Sequence, residues 1–283
     1  MRKILLILGI VIVIIVLFVA ISRSIFDKKI TKEINLLARD GRKAQSETFS
    51  FNDIEGLPEP VQRYFKYALK DGQEHIKFVR LKQVGEFRMK ENQSWMPIKA
   101  EQYFTTEDPA FIWRVKFTMA PFIWIDGRDM YYQGKGNMLI KILSTITVAD
   151  ATGSEMDISS LIRFLAEAPW FPTALLPSDY LEWKEIDSNS ARAVIKDNGY
   201  TALGIFTFNE KGEIIKFVTN DRYMEADGKY FKEQWAGCYR NYQEIEGMKI
   251  PMEGEVEWNL SDKDLPYAKL KITDIQYNVT EKY

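Results

Sequence analysis

Residues Ile4 to Ile21 read ILLILGIVIVIIVLFVAI, eighteen positions without a charged side chain. As a helix this run rises about 27 Å, close to the hydrocarbon thickness of a bilayer. Met1-Arg2-Lys3 opens it and Ser22-Arg23-Ser24 closes it. A secretory signal has a basic start, an apolar core of about 7–15 residues and a small-x-small cleavage site. Here the core is too long, and neither Phe18-Val19-Ala20 nor Ser22-Arg23-Ser24 resembles such a site. The only cysteine is Cys238, so lipid attachment at a processed N-terminal cysteine is excluded. The run predicts an uncleaved transmembrane anchor over residues 1–24 and a single-pass protein of the cell membrane.

Charge bears on orientation. Arg2 and Lys3 precede the span; Arg23, Lys28, Lys29, Lys32, Arg39, Arg42 and Lys43 follow it. Counted literally, the positive-inside rule keeps the following domain in the cytoplasm, although long domains translocate largely regardless of charge. A short basic tail ahead of an apolar helix is the usual form of an N-in signal anchor. The reading adopted is a domain outside the cytoplasm, with the cytoplasmic orientation left open.

The first 50 residues carry nine Lys/Arg against four Asp/Glu, whereas the rest carries 29 against 36. Residues 25–52 therefore read as a basic stalk beside anionic headgroups, with Ile30, Ile34, Leu37 and Ala38 on one helical face. The acidic body offers no face for nucleic acid, and membrane lipids are the expected partner; protein partners are not legible. With one cysteine there is no intrachain disulfide, and with His75 as the only histidine, metal sites built on His or Cys are excluded. No cofactor is expected: no glycine-rich loop joins a strand to a helix, and Gly134-Lys-Gly136 reads as a hairpin.

Residues 53–283 predict one β-rich domain. Leu57-Pro58-Glu59-Pro60 starts a helix over Val61–Lys70, with Val61, Phe65, Ala68 and Leu69 facing the core. From Ile76 the period falls to 2. Trp113, Val115 and Phe117 alternate with Arg114 and Lys116, and Met252, Gly254, Val256 and Trp258 alternate with Glu253, Glu255 and Glu257. This is the signal of antiparallel strands with one apolar face. Asp126-Gly127-Arg128, Asn209–Gly212, Asp227-Gly228 and Glu246-Gly247 read as turns. One helix interrupts the series over Met156–Ala168, capped by Ser154 or Asp157 and stopped by Pro169. The expected fold class is mainly β (α+β): a transmembrane helix, then a large curved antiparallel sheet or half-open barrel of about ten to twelve strands, with a few helices packed on its concave side.

The most distinctive stretch is Arg163-Phe-Leu-Ala-Glu-Ala-Pro-Trp-Phe-Pro-Thr-Ala-Leu-Leu-Pro177, followed by Leu181-Glu-Trp183 and Ala191-Arg-Ala193. With Leu57–Tyr64, Asp150–Asp157, Phe208–Gly212 and Asp221-Arg222-Tyr223, it resembles an uncharacterised bacterial and archaeal family of membrane-anchored proteins, over roughly residues 55–277. That family brings no established activity. Phe111-Ile-Trp-Arg-Val and Ile125–Tyr132 are similar, more loosely, to a strand, Asp-Gly turn, aromatic strand unit of the periplasmic lipoprotein-carrier fold. That likeness implies a half-open barrel around helices, with a concave apolar face able to hold an acyl chain.

Trp113, Phe117, Trp124, Tyr131, Trp170, Phe171 and Trp183, with Phe122, are the candidate lining of such a face. An ordinary sheet core uses the same residue types, so a solid core stays open. The Trp170 loop and the Met156–Ala168 helix are expected at the mouth; Trp170-Phe171-Pro172 also fits a buried corner. Arg163 and Glu167 suit a structural i,i+4 pair. Candidate acid–base groups are Asp126, Asp129, Asp150, Glu155 and Asp157, but a hydrolase needs two carboxylates converging on one cleft, which spacing does not reveal. No catalytic residue is assigned. Three readings follow: an extracytoplasmic binding module for a lipid or other apolar ligand, a tethered protein-interaction or assembly module with a solid core, and a carboxylate-dependent hydrolase.

Overall fold

The computed structural model describes residues 1–226 and 228–283. Helix α1 runs unbroken over Arg2–Lys43, across the expected boundary between anchor and stalk. No proline interrupts this segment. Its apolar run stands clear of the domain, with Ile4 to Phe18 exposed. Its second half is docked: Phe26, Ile30, Ile34, Leu37 and Ala38 are buried against Phe78, Tyr103, Ala110, Ile112 and Leu139. Gly41 is required there, because a Cβ would lie 2.9 Å from the Phe78 ring.

Helix α2, Glu59–Ala68, buries Val61, Phe65 and Ala68. Strands β1 (Phe78–Phe87), β2 (Met96–Thr105), β3 (Ala110–Ala120), β4 (Ile123–Tyr132), β5 (Lys135–Ile142) and β6 (Ile146–Ala151) follow as a meander. Helix α3 spans Ser154–Glu167. Then come β7 (Leu181–Asp187), β8 (Ser190–Asp197), β9 (Tyr200–Phe208), β10 (Ile214–Thr219), β11 (Tyr223–Ala226), β12 (Lys229–Lys232), β13 (Gln234–Ile245), β14 (Met248–Asn259) and β15 (Asp264–Tyr277). Thirteen strands form one antiparallel sheet in the order β6-β5-β4-β3-β2-β1-β15-β14-β13-β10-β9-β8-β7; β11 and β12 pair separately.

The sheet curls around α3 without closing, leaving β6 and β7 as its edges. Its two arms meet at one end. There the Tyr131 hydroxyl of β4 donates to Asp197 of β8 at 2.6 Å, and the β4–β5 turn packs on Asn198, which a Cβ on Gly134 would strike. Side-chain alternation sorts the two faces. In β4, Ile125, Gly127, Asp129 and Tyr131 look inward. Arg128 and Tyr132 look outward, where they meet Glu33 and Asp40 of α1.

Four expectations need correction. Asp126-Gly127-Arg128 is no turn but the middle of β4, paired residue for residue with β3 and β5. Gly127 is there because a Cβ would lie 2.8 Å from Val115 Cγ1. The real turn is Pro121-Phe122, where φ is +64° at Phe122, a value that turns normally assign to glycine or asparagine. Among the described residues fifteen strands replace the expected ten to twelve, since turns such as this carry no glycine. Not all helices are on the concave side: α1 docks on the convex face. Finally, neither Ser154 nor Asp157 caps α3, whose cap is Gly153. Asp157 is buried and accepts from Gly136 N (2.7 Å), Lys135 Nζ (3.0 Å) and Tyr200 OH (2.9 Å). Glu246-Gly247 and Asn209–Gly212 turn the chain as expected. Of Asp227-Gly228, Asp227 lies outside the described residues.

Candidate functional site

Between α3 and the concave face lies a cavity of about 320 Å³, at the lower end of the range for small-molecule sites. One wall is Trp113, Val115 and Phe117 of β3 with Ile125 and Gly127 of β4 and Met138 and Ile140 of β5. The opposite wall is Trp235, Gly237 and Tyr239 of β13, Gly254 and Val256 of β14, and Tyr267, Ala268 and Leu270 of β15. Arg163, Ala166 and Glu167 of α3 and Trp170 close the inner end. Below them the space is filled: Phe104, Phe111, Phe164 and Phe171 pack ring on ring, with centroids 4.5–6.4 Å apart. The outer end runs past Phe87 and Met96 to Met89, which is 66% exposed.

The void exists because small residues stand where the alternation would otherwise place large ones. A Cβ on Gly254 would meet only Trp170 Cζ2 at 3.7 Å and Cys238 O at 3.9 Å, ordinary contact distances. A Cβ on Gly237 would likewise approach nothing closer than the Tyr239 hydroxyl at 3.4 Å. Glycine inside a strand weakens it, and often marks a place where something else comes close.

A polar cluster sits at the inner end. Arg163 donates to Asp129 Oδ2 (2.6 Å) and Glu167 Oε1 (3.0 Å), its guanidinium lying over Trp113 at 4.5 Å and Phe111 at 5.1 Å. Gln102 Nε2 donates to the other Glu167 oxygen at 2.7 Å. Burial pushes Glu167 above the ordinary carboxylate range, with Arg163 offsetting part of that shift. Burial alone would lower the pKa of Arg163; Glu167 and Asp129 more than compensate, and it stays charged. Across the cavity Arg222 stacks on Trp235 at 4.3 Å, and burial lowers its pKa.

Of the residues expected to line a lipophilic face, Trp113, Phe117 and Trp170 do so. The other five do not, and Phe122 stands exposed at the β3–β4 turn. Trp124 faces the convex side, donating to Asp126 at 2.8 Å beneath Arg23 and Lys116. Tyr131 belongs to the end where the two arms meet, and Phe171 to the packed aromatic floor. Trp183 packs on Phe206 and Phe208 and donates to Leu175 O. The Trp170 corner is buried and forms the closed end of the cavity, not its mouth, because Tyr277 and the Phe171 ring pin it inside the sheet. Among the carboxylates weighed for catalysis only Asp129 reaches the cavity, where Arg163 holds it. Asp126 accepts from Trp124 and Ser144 on the other face, Asp150 accepts from Asn137, and Glu155 accepts from Ser154. Sequence reasoning overlooked Arg222, Gly237 and Gly254. The strand glycines were the available signal.

The docking of α1 orients the mouth. From Arg23 over the Trp124 ring (6.0 Å), the helix passes Arg114 at Asp27, Arg128 at Glu33 and Tyr132 at Asp40. Between Arg23 and Asp40 it advances roughly 26 Å, while β4 from Trp124 to Tyr132 advances roughly 27 Å in the same direction. Helix and strand therefore run side by side, and the apolar run leaves past the β3–β4 turn. That end carries exposed apolar side chains: Phe122 (92%), Met119, Ile123, Ile146 and Val148.

A model of a family of unknown function, DUF6920, matches residues 55–277. No curated protein matches the sequence. Similar solved structures include a LolA superfamily protein of Nitrosomonas europaea, at 11% identity and TM-score 0.41, covering 77% of this chain and 91% of that one. A domain described as an outer membrane lipoprotein-sorting protein of Vibrio parahaemolyticus aligns at 9% identity and TM-score 0.42, covering 81% and 94%. A DUF1329 family protein of Desulfovibrio piger aligns at 9% and 0.39, covering 79% and 92%.

Proposed function

The chain belongs to the DUF6920 family, and from its geometry we propose that it is a membrane-anchored, extracytoplasmic module that binds a lipid or another apolar ligand in its half-barrel. One observation carries this reading: the apolar cavity opens at the end of the domain from which the apolar run of α1 departs. A ligand leaving the bilayer would reach the mouth without crossing bulk water. Burial in such a cavity contributes about 0.8 kcal/mol per methylene, enough to hold a long chain with few polar contacts.

The test is binding of a dansyl-labelled fatty acid to the full chain in nanodiscs, beside Gly254→Leu. A Cβ at this position makes only ordinary contacts, with Trp170 and Cys238 O, so the leucine is expected to occupy the cavity without displacing β14. Probe binding is expected to fall at least tenfold with an unchanged melting temperature. Equal binding by both proteins would defeat the proposal. Protease access in intact cells tests the side of the membrane: cleavage of the domain supports the extracytoplasmic reading, and protection refutes it.

A further inference from the structure

The cavity wall is apolar apart from Asp129, Arg163, Glu167, Arg222, Cys238 and Glu255, and two of its buried donors are unspent. Arg222 Nη1 and Trp170 Nε1 are buried and have no hydrogen-bond partner among the described residues. Both carboxylates at the inner end are engaged by the other arginine, Arg163. Arg222 forms no ion pair among the described residues; its guanidinium rests on the rings of Trp235 (4.3 Å) and Trp258 (5.9 Å).

The backbone around Arg222 is fixed from both sides. Asp221 N donates to Thr219 Oγ1 (3.1 Å), and the Asp221 carboxylate turns away to accept from Leu203 N (3.1 Å) and Lys232 (3.3 Å). Tyr223 N donates to Ser159 Oγ of α3 at 3.1 Å. Glu167 and Asp129 act on this half-buried guanidinium without bonding to it, and its Nη1 is buried with no acceptor, a cost that a bound anion would offset. A carboxylate or phosphate would give Nη1 a bond in which both partners are charged, which a neutral acceptor cannot.

We infer that Arg222 is the head-group anchor of the cavity, and that the ligand is an amphiphile with an apolar chain and an anionic head. The chain lies between Trp113 and Gly254, and the head meets Arg222 beside Trp235. This rests on the cavity being an apolar-ligand site, and it adds the charge of the ligand.

The experiment measures competition against the dansyl probe by decanoate, decyl phosphate, decanol and inorganic phosphate, at matched free concentrations, on the full chain in nanodiscs. The inference expects decanoate and decyl phosphate to bind at least tenfold more tightly than decanol, and inorganic phosphate to compete weakly. Arg222→Met keeps a long side chain on Trp235; it should abolish the preference while retaining decanol binding, which also reports an intact cavity. Equal affinity of decanoate and decanol in the native protein would overturn the anchor while leaving the apolar site standing. Failure of all three decyl compounds to bind would overturn both. Inorganic phosphate competing as well as decyl phosphate would show a free-anion site and overturn the amphiphile.

Discussion

At the scale of single residues, the cavity combines cheap emptiness with costly charge. Gly237 and Gly254 leave the void, while half-buried Arg163 and Asp129 form with buried Glu167 a cluster that an apolar core would not need. Burial raises the pKa of Glu167 above its ordinary value of 4.5. The folded chain therefore holds that proton more tightly than the unfolded chain does. This group's contribution to stability is fully present below the unfolded pKa and is lost as pH rises through the folded one. Glu167→Gln removes the titration but keeps an acceptor for Arg163. Melting temperatures of the two proteins, compared across pH, should show the native chain gaining on the variant as pH falls from 7 toward 4. A difference independent of pH would refute this account of Glu167.

Secondary-structure elements explain what the sequence revealed and what it concealed. The alternation in β3, β14 and β15 was legible because one face of each strand is apolar. The Asp126-Gly127 pair looked like a turn because glycine after aspartate normally is one; here the glycine answers to Val115 on a neighbouring strand, a long-range contact invisible to local pattern. For the same reason Trp124 and Trp183 could not be told from Trp113: all are aromatic strand residues, and only register decides which face each takes. The α1 face at Ile30, Ile34, Leu37 and Ala38 was readable, but its partner surface on β1–β3 was not. The β3–β4 turn makes its own prediction. Phe122 occupies a left-handed conformation at φ +64° with 92% of its surface exposed, unfavourable on both counts in water. It lies level with the last turn of the apolar run, where a bilayer would receive the ring. Phe122→Gly should relieve the backbone by about 1 kcal/mol, raising the melting temperature in detergent. In nanodiscs it should reduce the quenching of tryptophan fluorescence by brominated lipid chains. Unchanged quenching would show that the turn does not touch the membrane.

For the whole molecule, the parts share one axis. A helix that is apolar for eighteen residues continues as a docked strut on the convex face of a thirteen-stranded sheet. The concave face of that sheet holds a cavity whose mouth points back along the helix toward its apolar run. On the proposed function, the apolar run would set where the cavity meets a ligand as well as where the protein sits. The most direct measurement is native mass spectrometry of the full chain released from its own membranes in mild detergent, with organic extraction of what accompanies it. The account predicts an added mass of one amphiphile with an anionic head on the native protein, and none on Gly254→Leu. A native protein that carries no added mass, or one that carries the same mass as the filled variant, would contradict it.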